Sequence, residues 1–234
     1  MRIENELTYV LHRRAFGETS VTLELLTKNY GRIGALARGA RQQNTKGGKD
    51  ALALGAQYLA DFGGSGELLQ LRRFEVIETA PTFVGERSLA LMYINELIVA
   101  LLPRGDAHER LFLHYQTAIQ TIAFGELGAH LRGFERMLLE ELGYGVDFAS
   151  DVTGEPINSM FWYRLDANAG FFATQAGAAG ALNGAAILEF ESCCFSKIHN
   201  STTRGIMRTL ISERLGGKTL KSWEMLRELA SLRS

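Results

Sequence analysis

The hydrophobic pattern of this chain changes period once, near residue 84, and that change restricts the fold more than any other feature. Before it, apolar residues alternate with polar ones as in half-buried strands. Leu7, Tyr9 and Leu11 alternate with Thr8 and His12, Val21, Leu23 and Leu25 with Thr22 and Glu24, and Ile33, Ala35 and Ala37 with Gly34 and Arg38. Two further runs, Gln57 to Phe62 and Leu68 to Glu75, flank the turn Gly63-Gly64-Ser65-Gly66. Gly17 with Thr19 and Ser20, and then Asn29-Tyr30-Gly31, supply turn chemistry between the first three runs. Five short strands predict a small closed barrel over residues 1–80, with the OB-fold as the leading arrangement and an SH3-like barrel sharing the signature. A polar loop, Gly39 to Asp50, carries Arg41, Lys46 and Lys49 around the flexible pair Gly47 and Gly48.

After residue 84 the period is helical. Ser88 to Leu102 is apolar nearly all round and stops at Pro103, which predicts a helix buried against several neighbours. Ala107 to Phe124 aligns Leu111, Phe112, Tyr115, Ile119 and Ile122 on one stripe, and Leu127 to Leu142 does the same before the stop at Gly143. A hairpin is predicted from Phe161–Leu165 and Phe171–Thr174, and two closing helices from Thr202–Leu215 and Leu220–Leu232. The predicted class is α+β: a barrel over 1–80 and a mainly helical domain over 81–234, with an irregular segment at about 146–186.

Charge separates function classes only when resolved along the chain. The 25 Lys+Arg and 26 Asp+Glu sum to −1, which alone argues against a polyanionic partner. Residues 9–49, however, carry eight basic and two acidic groups, residues 80–196 six and fourteen, and residues 197–234 eight and three. Two basic ends therefore enclose an acidic middle, an asymmetry that points to a partner. The longest apolar run, Leu89 to Leu102, is broken by Asn95 and Glu96 and falls short of the roughly 20 residues of a membrane span. Acidic Glu4 and Glu6 stand where a signal peptide needs an apolar core, and the adjacent Cys193 and Cys194 suit neither a disulfide framework nor a metal site. A cytoplasmic chain with no membrane partner is expected.

Catalytic motifs fail on inspection. Gly217-Lys218-Thr219 resembles the end of a phosphate-binding loop, but Ser212 occupies the place of its first glycine and a helix precedes it. Gly64-Ser65-Gly66 lacks the closing glycine of a nucleophile elbow, since Glu67 follows. The five histidines include no i, i+4 pair, and Glu140 with Glu141 diverge on a helix. No enzyme activity and no cofactor are expected.

A nucleic-acid footprint remains. Binding a single strand takes cations along the phosphates and flat side chains under the bases. Arg13, Arg14, Arg32, Arg38, Arg41, Lys46 and Lys49 are the candidate cations of the barrel, and Tyr9, Phe16, Tyr30 and Phe62 the candidate platforms, with core packing as the alternative role of each aromatic. Arg38 and Arg41 would set two guanidinium forks at the mouth of the basic loop. Lys218 and Lys221 stand in the basic C-terminal stretch, which either contacts DNA or packs on the acidic middle.

Several strings in order carry a resemblance. Gly17-Glu18-Thr19-Ser20, Ala37-Arg38-Gly39-Ala40-Arg41, Tyr93-Ile94-Asn95-Glu96-Leu97, Phe134-Glu135 with Leu142-Gly143-Tyr144-Gly145, and Leu215-Gly216-Gly217-Lys218-Thr219-Leu220-Lys221-Ser222 together resemble the RecO family of recombination mediators. The resemblance implies an OB-fold on a helical domain. It also implies binding to single- and double-stranded DNA, strand annealing, and action with RecR to help RecA replace SSB, with RecA an indirect partner. A monomer at the nucleoid is expected. Recognition of the acidic SSB C-terminal tail is implied as well, and Arg132 is the candidate cation for it, with a bridge to Glu135 as its alternative role and Arg136 as a further basic neighbour. Many RecO-like proteins carry a four-cysteine zinc site. Here Ser150-Asp151-Val152-Thr153-Gly154 and the stretch Phe172 to Gln175 hold no cysteine, so a zinc-free region is expected. A protein-interaction scaffold and an RNA-binding OB-fold protein are the alternative readings.

Overall fold

The computed structural model describes residues 2–40 and 52–232, with side chains through residue 226. Strands β1 (Arg2–Phe16), β2 (Ser20–Thr27), β3 (Gly31–Ala37), β4 (Gln57–Gly63) and β5 (Leu68–Glu78) close into a barrel in the order β1-β2-β3-β5-β4. β3 and β5 run parallel; the other pairs are antiparallel. Closure depends on β1, whose later residues pair with β2 and whose earlier residues pair with β4, leaving no open edge. The register of β1 shifts twice, between Ile3 and Glu6 against β4 and between Val10 and His12 against β2. At the first shift Asn5 takes a φ of 52°, a conformation asparagine tolerates better than most residues. Its N–H donates to Asp61 Oδ1 at 2.8 Å, and Arg73 braces both residues, reaching Asp61 Oδ2 and Asn5 Oδ1 at 2.9 Å each.

The period-2 pattern becomes the barrel core. Leu23 and Leu25, Ile33, Ala35 and Ala37, and Tyr58, Ala60 and Phe62 point inward with Ile3, Val10 and Leu69. Each large side chain buried this way contributes roughly 1.5–3 kcal/mol relative to exposure. Glu6 is buried too, and its carboxylate accepts the Asn29 N–H at 2.6 Å and Nδ2 at 2.9 Å. That charge-assisted pair pins the turn predicted at Asn29-Tyr30-Gly31.

Helices α1 (Glu86–Leu101), α2 (Glu109–Phe124), α3 (Leu127–Glu141), α4 (Gly184–Ser192), α5 (Asn200–Arg214) and α6 (Lys221–Leu232) follow, with a second sheet of β6 (Trp162–Asp166), β7 (Gly170–Thr174) and β8 (Leu182–Asn183) in the order β7-β6-β8. The class is therefore α+β. The chain divides into two compact units, Met1–Phe124 with Leu220–Ser234, and Gly125–Thr219. In the first, Tyr9 packs at 5.3 Å from Phe112 and 5.1 Å from Tyr115 of α2, and the Tyr115 hydroxyl donates to Asn95 Oδ1 of α1 at 2.6 Å. Desolvation, with the Glu78 charge second, pushes the Tyr9 phenol up to about 12. Glu96 of α1 caps α6: its carboxylate accepts from the Lys221 N–H (2.8 Å), the Ser222 N–H (2.9 Å) and the Ser222 hydroxyl (2.6 Å).

The second unit is centred on aromatics, with Phe148 stacked on Phe190 at 4.5 Å and tilted against Phe171 at 5.7 Å. α4 lies where the sequence pattern indicates no element. It is nine residues long, and Asn183 caps it through the Ala185 N–H at 2.7 Å. Among the described residues no helix is long and apolar enough to cross a membrane.

Candidate nucleic-acid interface

The β1–β2 hairpin and the end of β3 bring three of the predicted cations together. Ala15 pairs with Val21 and Val21 with Ala37, so Arg14 at the end of β1 and Arg38 just after β3 flank β2 at one end of the barrel. The strands they leave lie two ladder spacings apart, about 10 Å. Arg13, Arg14 and Arg38 are all exposed. Arg13 and Arg14, being consecutive, leave opposite faces of their strand. Phe16, 57% exposed, stands beside them. Arg41, Lys46 and Lys49 lie outside the described residues.

Arg32 departs from the expected open cation. Its Nη1 donates to Glu24 Oε2 at 2.6 Å and its Nε to the Leu102 carbonyl at 2.7 Å, which makes it a strap between β2, β3 and the end of α1. Tyr9 and Phe62 are core residues at 2% and 1% exposure, so neither offers a face to a base. Tyr30 is half-buried and packs against the barrel core.

Arg104 was not among the residues singled out from the sequence. It forks onto the same Glu24, through Nη2 to Oε1 and Nε to Oε2, and these hydrogen bonds, with the Glu24 and Glu67 charges, hold its guanidinium above the usual arginine value despite partial burial. In sequence it falls within the acidic middle, because it follows α1 in the chain. Its backbone nevertheless joins the barrel: Arg32 and Arg104 form a parallel bridge, and the Gly105 N–H donates to the Arg32 carbonyl at 2.9 Å. The fit is tight enough to require glycine at position 31, with φ of 64°, since a Cβ there would sit 1.7 Å from the Asp106 carbonyl oxygen. Arg104-Gly105 directly after the Pro103 helix stop is the sequence signal for a loop that turns back.

In the C-terminal region Lys218 and Lys221 are exposed. Arg132 of α3 is not a surface cation: it is 5% exposed, and its fork closes on Glu135, 1% exposed, with Nε to Oε2 at 2.7 Å and Nη2 to Oε1. Arg136 is bridged as well, to Glu140 at 2.6 Å, to the Phe190 carbonyl, and over the Phe148 ring at 5.5 Å, so it braces the aromatic centre.

Ser196, His199 and Glu189 meet without forming a hydrolytic triad. Burial pushes the Glu189 carboxyl up, but hydrogen bonds from Ser196 and His199 outweigh it and hold it below the usual range. The Ser196 hydroxyl donates to Glu189 itself, and the His199 nitrogen that meets Glu189 at 2.7 Å is Nδ1, the same atom nearest the serine at 3.4 Å. A triad needs the carboxylate and the serine on opposite ring nitrogens. In the stretch without cysteines, Asp151 instead accepts from the Thr153 hydroxyl (2.6 Å), the Thr153 N–H (2.8 Å) and the Glu155 N–H (3.2 Å). Among the described residues no group of three or more His, Cys, Asp or Glu is placed to hold a metal ion.

Barrel and arginines define an OB-barrel protein with a basic rim and a helical C-terminal half. The family model described as Recombination protein O N terminal matches residues 1–80, and that described as Recombination protein O C terminal matches residues 83–224. The chain is 39% identical over 244 residues to the DNA repair protein RecO of Xanthomonas oryzae pv. oryzae (strain PXO99A), covering 100% of each. It is 40% identical over 247 residues to that of Xanthomonas campestris pv. campestris (strain B100), covering 98% of each, and 37% identical over 243 residues to that of Stenotrophomonas maltophilia (strain K279a), covering 100% of each. The chain belongs to the RecO family.

Proposed function

We propose that this protein is a DNA repair protein and recombination mediator that binds single- and double-stranded DNA through the basic rim of its barrel. In this reading it anneals complementary strands and, with RecR, helps RecA onto strands coated by SSB. It performs no catalysis of its own and works as a monomer in the cytoplasm at the nucleoid. The observation that carries the reading is the gathering of exposed Arg13, Arg14 and Arg38 at one end of an OB barrel in a chain matched to the family along its length. Annealing requires two polyanions to approach, and a basic rim lowers their repulsion while leaving base edges free. Arg41, Lys46, Lys49, Lys218 and Lys221 are assigned to DNA contact by charge alone. SSB-tail recognition belongs to the proposal, and Arg132 could serve it only by leaving Glu135.

The test is a salt titration of single-strand binding, paired with annealing of SSB-coated complementary oligonucleotides. Each phosphate contact on a single strand contributes about −0.7 to the slope of log K against log salt. The Arg13→Ala, Arg14→Ala, Arg38→Ala triple variant is expected to flatten that slope by about 2 and to slow annealing. Salt-insensitive binding, or a triple variant that behaves like the parent, overturns the proposal. Tighter binding of a matched RNA oligonucleotide favours the RNA-binding reading instead.

A further inference from the structure

The outer face of β3 carries more than the cation at its end. Arg32, Gly34, Leu36 and Arg38 alternate on that face, and beside Gly34 lies a cleft of about 740 Å³ lined by Tyr30, Ile33, Gly34, Leu69 and Arg104. The volume is within the range of small-ligand sites. Its charged groups balance in number: Glu24 takes both Arg32 and Arg104, and Glu67, which also lines the cleft, stands 3.9 Å from Arg104.

The orientation of Arg104 is the informative feature. Its guanidinium is occupied along its edges, by Glu24 through Nε and Nη2 and by the Glu67 carbonyl at 3.5 Å through Nη1. Clamping a phosphate through the Nε and Nη2 edge would displace Glu24. The flat faces are a different matter. One lies over Gly34, where a Cβ would come within 2.9 Å of Cζ and 3.0 Å of Nη2, so a larger residue there would displace the plane. A third of the side chain remains exposed, and the residue lines the cleft. A guanidinium with three of its five N–H groups engaged, lining the same cleft as the half-buried Tyr30, offers a plane on which a planar π-system can stack.

We propose that this cleft receives an unpaired nucleobase of the bound single strand, with the guanidinium plane of Arg104 and the ring of Tyr30 as its stacking surfaces. The inference rests on the DNA-binding reading above and extends it from phosphates to bases. Gly34 and Arg38 lie four residues apart on one face of β3, about 13 Å, so a strand whose phosphates sit on Arg38 passes the mouth of the cleft. The division of labour follows from charge: Arg13, Arg14 and Arg38 hold the backbone, and the neutralised cleft holds a base.

The experiment uses the full chain and an oligo-dT carrying a single 2-aminopurine, whose fluorescence falls when the base stacks. Tyr30→Leu keeps apolar bulk and loses the ring; Arg104→Lys keeps charge and loses the plane; Gly34→Ala pushes the plane off its seat. Each is expected to lose the quenching and to weaken binding by about tenfold with the salt slope unchanged, since stacking releases no counterions. Arg38→Ala is expected to do the reverse, flattening the slope and retaining the quenching. Thermal melts establish that each variant is folded. If Tyr30→Leu and Arg104→Lys bind and quench like the parent while Arg38→Ala flattens the slope, the base site is wrong and the DNA reading stands. If the parent shows no salt-dependent binding, both fall.

Discussion

Replacing Arg132 by alanine tests whether the buried ion pair of α3 is structural. The guanidinium is 5% exposed and its partner Glu135 is 1% exposed, so solvent screens neither group. Both arms of the fork are used, at 2.7 Å for Nε and with Nη2 on the other carboxylate oxygen. Removing the cation therefore takes both arms of the fork away from a carboxylate that is already desolvated. Breaking a buried pair from one side costs about 3–5 kcal/mol, a large part of the 5–15 kcal/mol that holds a domain folded. For a compact unit the size of residues 125–219, that loss lowers Tm by more than about 10 °C. The double variant Arg132→Met, Glu135→Leu removes both charges and keeps the volume, and it is expected to recover most of the loss. Differential scanning calorimetry of the parent, both single variants and the double variant closes the cycle. An Arg132→Ala protein that melts within about 2 °C of the parent refutes the reasoning, and weaker binding of an acidic tail peptide by that stable variant would return Arg132 to a ligand-holding role.

Two further outcomes follow from the same kind of bookkeeping. Glu96→Ala removes three hydrogen bonds from the start of α6 and is expected to cost about 1–2 kcal/mol locally; hydrogen exchange should show α6 amides losing protection tenfold or more while the barrel core stays protected, and unchanged α6 protection would sink the capping argument. Asp151 is held below the ordinary carboxylate range by the Thr153 hydroxyl and N–H and the Glu155 N–H. A depressed folded pKa contributes stability above the unfolded value, about 3.9, that is lost as pH falls through the folded value. Order in the 151–155 loop, followed by NMR, is expected to persist at pH 5 and to fade below about pH 4, and Asp151→Asn should flatten that dependence.

The barrel was legible because strand alternation and core placement are the same fact seen twice. Leu23, Leu25, Ile33 and Ala35 could only be buried together on one face, and they are. The hairpin of β6 and β7 was legible from its turn residues within a position or so. α4 was not, since nine residues give little more than two turns for a period to show itself and the cap at Asn183 carries much of the definition. Among the cations, exposure of Arg13, Arg14 and Arg38 follows from their place past the core, whereas the diversion of Arg32 depended on Glu24 and on a carbonyl seventy residues away.

Local pattern by itself determined the α+β class, the barrel ahead of the helices, the inward residues of β2 and β3 and the presence of a basic N-terminal region, because period and charge density are properties of short stretches; in β1 the bulges turned Ile3 and Val10 inward in place of the expected Leu7, Tyr9 and Leu11. Tertiary structure decided which of the arginines are free to meet a polyanion. A guanidinium is claimed by the nearest well-placed carboxylate, and Glu24 reaches Arg32 and Arg104 only once the chain has folded, whereas the Arg132–Glu135 pair is local to one helix and tertiary packing decided only its burial. Tertiary structure also brought Arg104 from the acidic middle of the chain onto the face of β3, where it shares Glu24 with Arg32.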